Sequence, residues 1–207
     1  MNNQAKNLFE RALETRMQFG NRRSPNAICI ENAVIIKRNF EGRDIPGKRK
    51  DGRSFVKQGR RFVWILTEDM FNALCQEKGE CVYGIWQFDP ENPDLKVYTI
   101  EVRIKMESAN PPVCRLYTKR NGKTDVSLLT STNLGILDQI YECDIERIDM
   151  TLNAYDPEQS GHFTLWLRDL KMSQIEVEES DDYWNNMVAD DDLPWNVDPN
   201  IDPVNEG

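Results

Sequence analysis

Between Leu95 and Met106 the chain alternates strictly. Tyr98, Ile100, Val102 and Ile104 are apolar, and the intervening Thr99, Glu101, Arg103 and Lys105 are polar. A two-residue period fits a β-strand with one buried and one wet face, and it fits no helix. Related patterns recur along the chain. Ile28, Ile30, Val34 and Ile36 stand out in 27–40, a Val-, Phe- and Trp-rich run covers 55–66, and an apolar run covers 81–88. Further strands are expected over Val113–Arg120, Ile145–Tyr155 and His162–Leu170, the last apolar at Phe163, Leu165 and Leu167. Pro- and Asn-rich stretches at 89–94 and Pro111–Pro112, and the pair Asn121–Gly122, punctuate them. Residues 41–53, rich in Gly and basic residues, are expected to form a loop.

Helical spacing is rarer. Ala5, Leu8, Phe9, Ala12 and Leu13 mark an amphipathic helix over Asn3–Met17, which either packs on the body or docks a partner. Thr67 can cap a second helix that runs to about Lys78, with Phe71, Leu74 and Cys75 on one face and Gly79 ending it. Leu134–Tyr141 reads as a short third helix. Many strands and few helices predict a mainly β (α+β) chain: an elaborated OB-fold-like barrel over residues 19–171, preceded by the helix of residues 1–18.

The formal net charge of −9 hides an asymmetry. Met172–Gly207 holds 11 acidic residues and no Lys or Arg, so residues 1–171 carry 24 acids against all 26 basic residues. Within that body, Gly20–Arg61 has 12 basic and 4 acidic residues. A basic body is thus joined to a tail, 172–207, whose acidic and Asn/Pro-rich composition predicts disorder.

Catalytic signatures are missing. No GxxxxGK[ST], GxSxG or HExxH occurs. The one histidine, His162, follows Gly161 at an expected turn. Five cysteines without a CxxC pair give no zinc spacing and read as buried free thiols in a reducing cytoplasm. Asp190, Asp191 and Asp192 could hold Mg²⁺ in principle, but a tail supplies no rigid frame for it. No apolar run is long enough to span a bilayer, and the N-terminus lacks a signal-peptide core. A non-catalytic protein with no cofactor and no metal is expected.

Single-stranded nucleic acid is held by cations that follow its phosphates and by aromatic faces that stack its bases. Two clusters interleave these residue types. The first comprises Arg38, Phe40, Arg43, Lys48, Arg49, Lys50, Arg53, Phe55, Lys57, Arg60, Arg61 and Trp64. Phe62 and Trp64 share a strand face, which points either to the core or to the ligand. The second comprises Arg103, Lys105, Arg115, Tyr117 and Lys119, which line one surface if Leu95–Met106 and Val113–Arg120 pair as a hairpin.

The tail carries Asp190-Asp-Asp-Leu-Pro-Trp195. Aspartates followed by an apolar residue, proline and an aromatic resemble the acidic C-terminal tip of bacterial single-stranded DNA-binding proteins. The layout of basic β body and acidic aromatic tail resembles phage-encoded members, those of T7-like phages included. Asn39-Phe-Glu-Gly42, Gly52-Arg-Ser-Phe55, and Ala73-Leu74 before Gly79 are also similar to small phage DNA-replication proteins. The resemblance implies sequence-independent binding of single-stranded DNA in replication or recombination, in the cytoplasm of a bacterial host. It further implies recruitment of replication or recombination proteins through Asp190, Asp191, Asp192, Leu193, Pro194 and Trp195. It departs from the bacterial pattern in that Asn196–Gly207 follow the motif. An oligomer is compatible with this reading. A protein-interaction module that bridges partners through Asn3–Met17 and the tail, without a nucleic-acid role, and a divalent-metal nuclease stand as alternatives.

Overall fold

The computed structural model describes residues 3–20, 24, 26–48, 52–87, 92, 95–156 and 159–175. Arg49 and Lys50 of the basic segment, and the acidic tail from residue 176 on with its Asp190–Trp195 motif, lie outside the described residues. The chain runs α1 (Asn3–Leu13), β1 (Arg16–Phe19), β2 (Ala27–Glu31), β3 (Val34–Asn39), β4 (Ile45–Lys48), β5 (Ser54–Lys57), β6 (Arg61–Leu66) and α2 (Glu68–Lys78). It continues through β7 (Tyr83–Gln87), β8 (Lys96–Arg103), β9 (Val113–Arg120) and β10 (Lys123–Leu129). Two 3-10 turns (Leu134–Asp138 and Glu142–Asp144) then lead to β11 (Ile145–Tyr155) and β12 (Thr164–Gln174).

Local chemistry explains several boundaries. The Thr67 hydroxyl accepts the Met70 N–H and starts α2, and Gly79, at φ +96°, ends it. Asn32, at φ 53°, breaks the expected 27–40 strand into β2 and β3. Gly59, at φ +83°, separates β5 from β6. The expected 41–53 loop instead supplies β4 of a two-stranded β4–β5 arm, in which the Phe55 ring lies across from Gly47.

Among the described residues, ten strands form one sheet with the path β1-β2-β11-β12-β8-β6-β3. β7 joins alongside β8, and β9–β10 joins alongside β12. The sheet forks rather than closing, so the expected barrel is corrected to an open, mainly β architecture. The cause is how two long strands share their edges. β8 pairs with β7 over Lys96–Ile100 and then with β12 at Val102 and Arg103. β12 pairs with β8 at Leu165 and Trp166, then with β9 over Asp169–Gln174.

The expected β8–β9 hairpin is likewise absent. β9 turns back through Asn121-Gly122, both at positive φ, and pairs with β10 in a two-residue hairpin. Pro111 and Pro112, which carry no N–H for a ladder, fall in the connection that moves the chain from β8 to the far end of β12.

The main core collects Phe62, Trp64 and Leu66 of β6, Tyr98, Ile100 and Val102 of β8, and Leu165, Leu167, Leu170 and Met172 of β12. Phe40, Leu134 and Leu137 close one end. There the Asp138 carboxylate accepts the Phe40 and Glu41 N–H groups, both at 2.9 Å. Opposite faces of β3, β6 and β8 carry Val34, Ile36, Ile65 and Val97, and Leu8 and Ala12 of α1 cover them. The N-terminal helix therefore packs on the body. It ends at Leu13, and Arg16–Phe19 is strand. At the other end Met172 is fully buried, so β12 runs past the expected boundary at Lys171.

Of the five cysteines, all free, only Cys114 is buried; Cys29 and Cys143 are exposed. Burial of the thiol pushes Cys114 up to about 12. A thiol reagent at mildly alkaline pH should therefore label Cys29 and Cys143 first, with Cys114 labelled only as the chain unfolds, as read by peptide mass spectrometry. Trp64 is fully buried, and its indole N–H meets no acceptor among the described residues. Trp64→Ala should lower unfolding free energy by about 3–5 kcal/mol in urea titrations. Trp64→Phe, which removes no hydrogen bond, should cost under about 1.5 kcal/mol.

Candidate nucleic-acid interface

β12 carries the surface. Leu165, Leu167, Leu170 and Met172 point into the core. Strict alternation would put Asp169 on their side, but the register to β11 shifts between Thr151 and Leu152, leaving Arg168 as an extra residue. This bulge keeps Trp166, Asp169, Lys171 and Ser173 on one outward face. Cross-strand partners extend that face: Arg103 lies beside Trp166, Arg115 beside Lys171, and Tyr117 beside Ser173. On β10, Leu128 sits opposite Arg115, Val126 opposite Tyr117 and Thr124 opposite Lys119. Val126 and Leu128 are exposed. The second expected cluster thus does share a surface, through β12 rather than through a hairpin.

At the Trp166 end a groove of about 780 Å³ opens. Lys57, Arg60, Arg61, Arg103 and Lys105 line it, with Glu101, Glu107, Phe163 and Trp166. The Arg103 guanidinium lies 5.8 Å from the Trp166 ring centre, a cation–π distance. Glu101 serves three cations: Lys57 Nζ at 2.7 Å, Arg61 Nη1 at 3.2 Å and Arg103 Nε at 3.9 Å. Partial burial opposes its charge. The Lys57 hydrogen bond and the fields of Lys57, Arg61 and Arg103 outweigh that, and hold its carboxyl below the ordinary carboxylate value. Arg60 bonds Glu107 at 2.5 Å and the Ser131 carbonyl at 2.8 Å, and its hydrogen bond holds Glu107 low as well. Arg61 is buried and also donates to the Gly59 carbonyl.

At the Tyr117 end two cations each meet a carboxylate of their own. Arg115 stands 3.9 Å from Asp169, and Lys119 bonds Glu146 at 2.7 Å. Lys105 and Lys171 make no ion pair among the described residues. Exposed ion pairs of this kind are worth about 0–1 kcal/mol each, so phosphates can displace their carboxylates at little cost.

Other sequence candidates fall elsewhere. Phe40 and Trp64 have no exposed surface and are core residues, which removes both as stacking rings. Arg38 spends its guanidinium on the Leu137 and Ile140 carbonyls and braces the 3-10 turn. Arg43 pairs with Glu41 at the base of the β4–β5 arm. Lys48 and Arg53 are exposed on that arm, while Phe55 is half-buried against Gly47. Lys57, the last residue of β5, ties the arm to Glu101 of β8.

Trp166 is not among the sequence candidates, although the alternation of Phe163, Leu165 and Leu167 turns it outward. Lys171, at the expected boundary between body and tail, is not among them either. Among the described residues no three His, Cys, Asp or Glu side chains gather as a metal site, and no helix is long and apolar enough to cross a membrane.

The fold and this surface define a mainly β protein with a cation-and-aromatic face. No protein-family model matches the chain, and no curated protein sequence does. Among solved structures, it is similar to the single-stranded DNA-binding protein from bacteriophage Enc34 in complex with ssDNA. The TM-score is 0.37 and the identity 9%, over 73% of this chain and 88% of that one.

Glu101 has a folded-state pKa below its ordinary 4.5, so its contribution to stability is present above that value and is lost as pH falls through the folded value. The urea midpoint of Glu101→Gln should lie below that of the parent at neutral pH. The gap should close as the solution is acidified through and below 4.5.

Proposed function

We propose that this chain binds single-stranded DNA without regard to sequence and coats it as a non-catalytic protein of replication or recombination, of phage type. The observation that supports the reading best is the shared outward face around β12. Two partly exposed rings, Trp166 and Tyr117, each stand among cations there, with Arg103 and Lys105 at one end and Arg115, Lys119 and Lys171 at the other. Trp166 to Ser173 spans roughly 20 Å at about 3.3 Å per residue. That suits a short stretch of strand, near the lower end of the roughly 4–16 nucleotides held by single OB-type sites.

In this reading Trp166 and Tyr117 stack bases. Lys57, Arg60, Arg61, Arg103, Lys105, Arg115, Lys119 and Lys171 attract phosphates, and the β4–β5 arm with Lys48 and Arg53 adds charge beside the groove; Arg49 and Lys50 add to the basic charge of the same segment of sequence. Val126 and Leu128 offer apolar contact next to Tyr117. The acidic tail recruits replication or recombination proteins through Asp190–Trp195: three carboxylates for a basic patch, and Leu193, Pro194 and Trp195 as an apolar plug on a tether.

Fluorescence anisotropy of a labelled oligo-dT tests this. Binding should weaken steeply with salt, and duplex DNA should compete poorly. Trp166→Ala and Tyr117→Ala should each cost about 1–3 kcal/mol, and Lys105→Ala should lower the salt slope by about 0.7. Glu101→Gln should tighten binding, because it removes the carboxylate with which phosphates compete for Lys57, Arg61 and Arg103. Tail removal is best made after Ile175, since a cut at Lys171 would delete the buried Met172. No oligonucleotide binding at low salt, by the full chain or by that truncation, sinks the proposal.

A further inference from the structure

β3 breaks its alternation at Lys37. Ile35 belongs to the main core and Ile36 to the outward cluster under α1, so a regular strand would turn Lys37 inward. The register to β6 instead shifts between Ile36 and Asn39, and Lys37 takes φ 49°. A lysine in the left-handed region is uncommon. Here that conformation brings the side chain to the outward face, where Lys37 is exposed. Lys37 makes no ion pair among the described residues. Backbone outliers of this kind gather at functional sites.

The outward face has a roof at this point. The β4–β5 arm lies over it, tied down by the 2.7 Å bond between Lys57 and Glu101. Between arm and sheet is a chamber of about 220 Å³. Ile45 and Phe55 line its arm side, and Lys37 and Val63 its sheet side. Lys57, Arg61 and Glu101 form the wall that it shares with the larger groove. Behind Val63 the face is closed, because that residue packs on the cluster that Leu8 and Ala12 of α1 cover. A strand that follows the cations from Trp166 therefore reaches the arm and runs out of path. The chamber is smaller than the roughly 300–1,000 Å³ of sites for drug-sized ligands, so it takes one small group and not a run of nucleotides.

Charge selects the group. On the chamber wall Lys37, Lys57 and Arg61 face one carboxylate, Glu101, a formal surplus of two positive charges. A phosphodiester inside a strand carries a single negative charge, whereas a phosphate monoester carries about −1.5 to −2 at pH 7. We infer that this chamber holds the terminal phosphate of a DNA strand, with Lys37 as the cation that distinguishes it from internal phosphates. Lys57 and Arg61 serve both kinds of phosphate from the shared wall. The inference rests on the single-stranded DNA reading and adds to it a preference for phosphorylated ends.

Anisotropy of the full chain with oligo-dT of about eight nucleotides tests it. The dye sits on one end and a phosphate or a hydroxyl on the other, in both polarities. In one polarity the phosphate should tighten binding on the order of tenfold, the contribution of one charge-assisted hydrogen bond. That comparison is made within the parent and needs no variant. Lys37→Asn removes the ammonium and keeps a residue that tolerates positive φ. It should abolish the gain and leave the hydroxyl oligonucleotide bound as before, whereas Lys37→Arg should keep the gain. Thymidine 5′-monophosphate alone should bind far more weakly than the phosphorylated oligonucleotide. Hydroxyl oligonucleotides that bind, with no gain from a phosphate at either end, overturn the inference and leave the DNA reading standing. A gain that survives Lys37→Asn overturns it as well. Equal affinity for the free nucleotide would assign the chamber to small nucleotides and end the strand-end assignment. Failure of every oligonucleotide to bind removes the DNA reading and this inference with it.

Discussion

β12 pairs with β11 along one edge for most of its length and divides its other edge between β8 and β9. Its inward residues, Leu165, Leu167, Leu170 and Met172, belong to the one core that both branches of the fork share. Much else depends on this division. The sheet cannot close, because the edge that closure would need is already split. The β9–β10 hairpin and the β6–β8 branch are held on opposite ends of one strand. The bulge at Arg168 then decides that Trp166 and Lys171 face the same way despite the odd number of residues between them.

The outward face is shared between two tasks. Near Ile65 and Val97 it is apolar, and α1 covers it through Leu8 and Ala12. Toward Arg61 and Arg103 on the same two strands it becomes charged and opens into the groove. The switch along β6 and β8 from aliphatic to basic side chains is what separates a helix-docking surface from a surface suited to a polyanion. Glu101 sits at the changeover. Its carboxylate offsets the mutual repulsion of Lys57, Arg61 and Arg103.

The strands were legible wherever one face was dry. The Tyr98–Ile104 alternation, the Thr67 cap and the Asn121-Gly122 turn each act over a few residues and appear in the structure where the pattern places them. Strand neighbours were not legible. Nothing in Leu95–Met106 or Val113–Arg120 says that each will meet β12 instead of the other, because pairing is decided by which long-range contacts fill one core. Phe40 and Trp64 show the same limit: an aromatic among cations reads alike whether its face ends in the core or in water. Arg38 shows it for charge, since its partners are carbonyls about a hundred residues away.

The sequence by itself determined the β-rich class, the start and stop of α2, and the segregation of acidic from basic residues, because these are local or summed properties of the chain. Only the tertiary structure decided that the sheet stays open, that α1 lies on the body, and that Trp166 and Tyr117 share a face. Those outcomes depend on residues far apart in sequence competing for the same strand edges and the same core volume, and a period of two along any one segment carries no information about which neighbour wins.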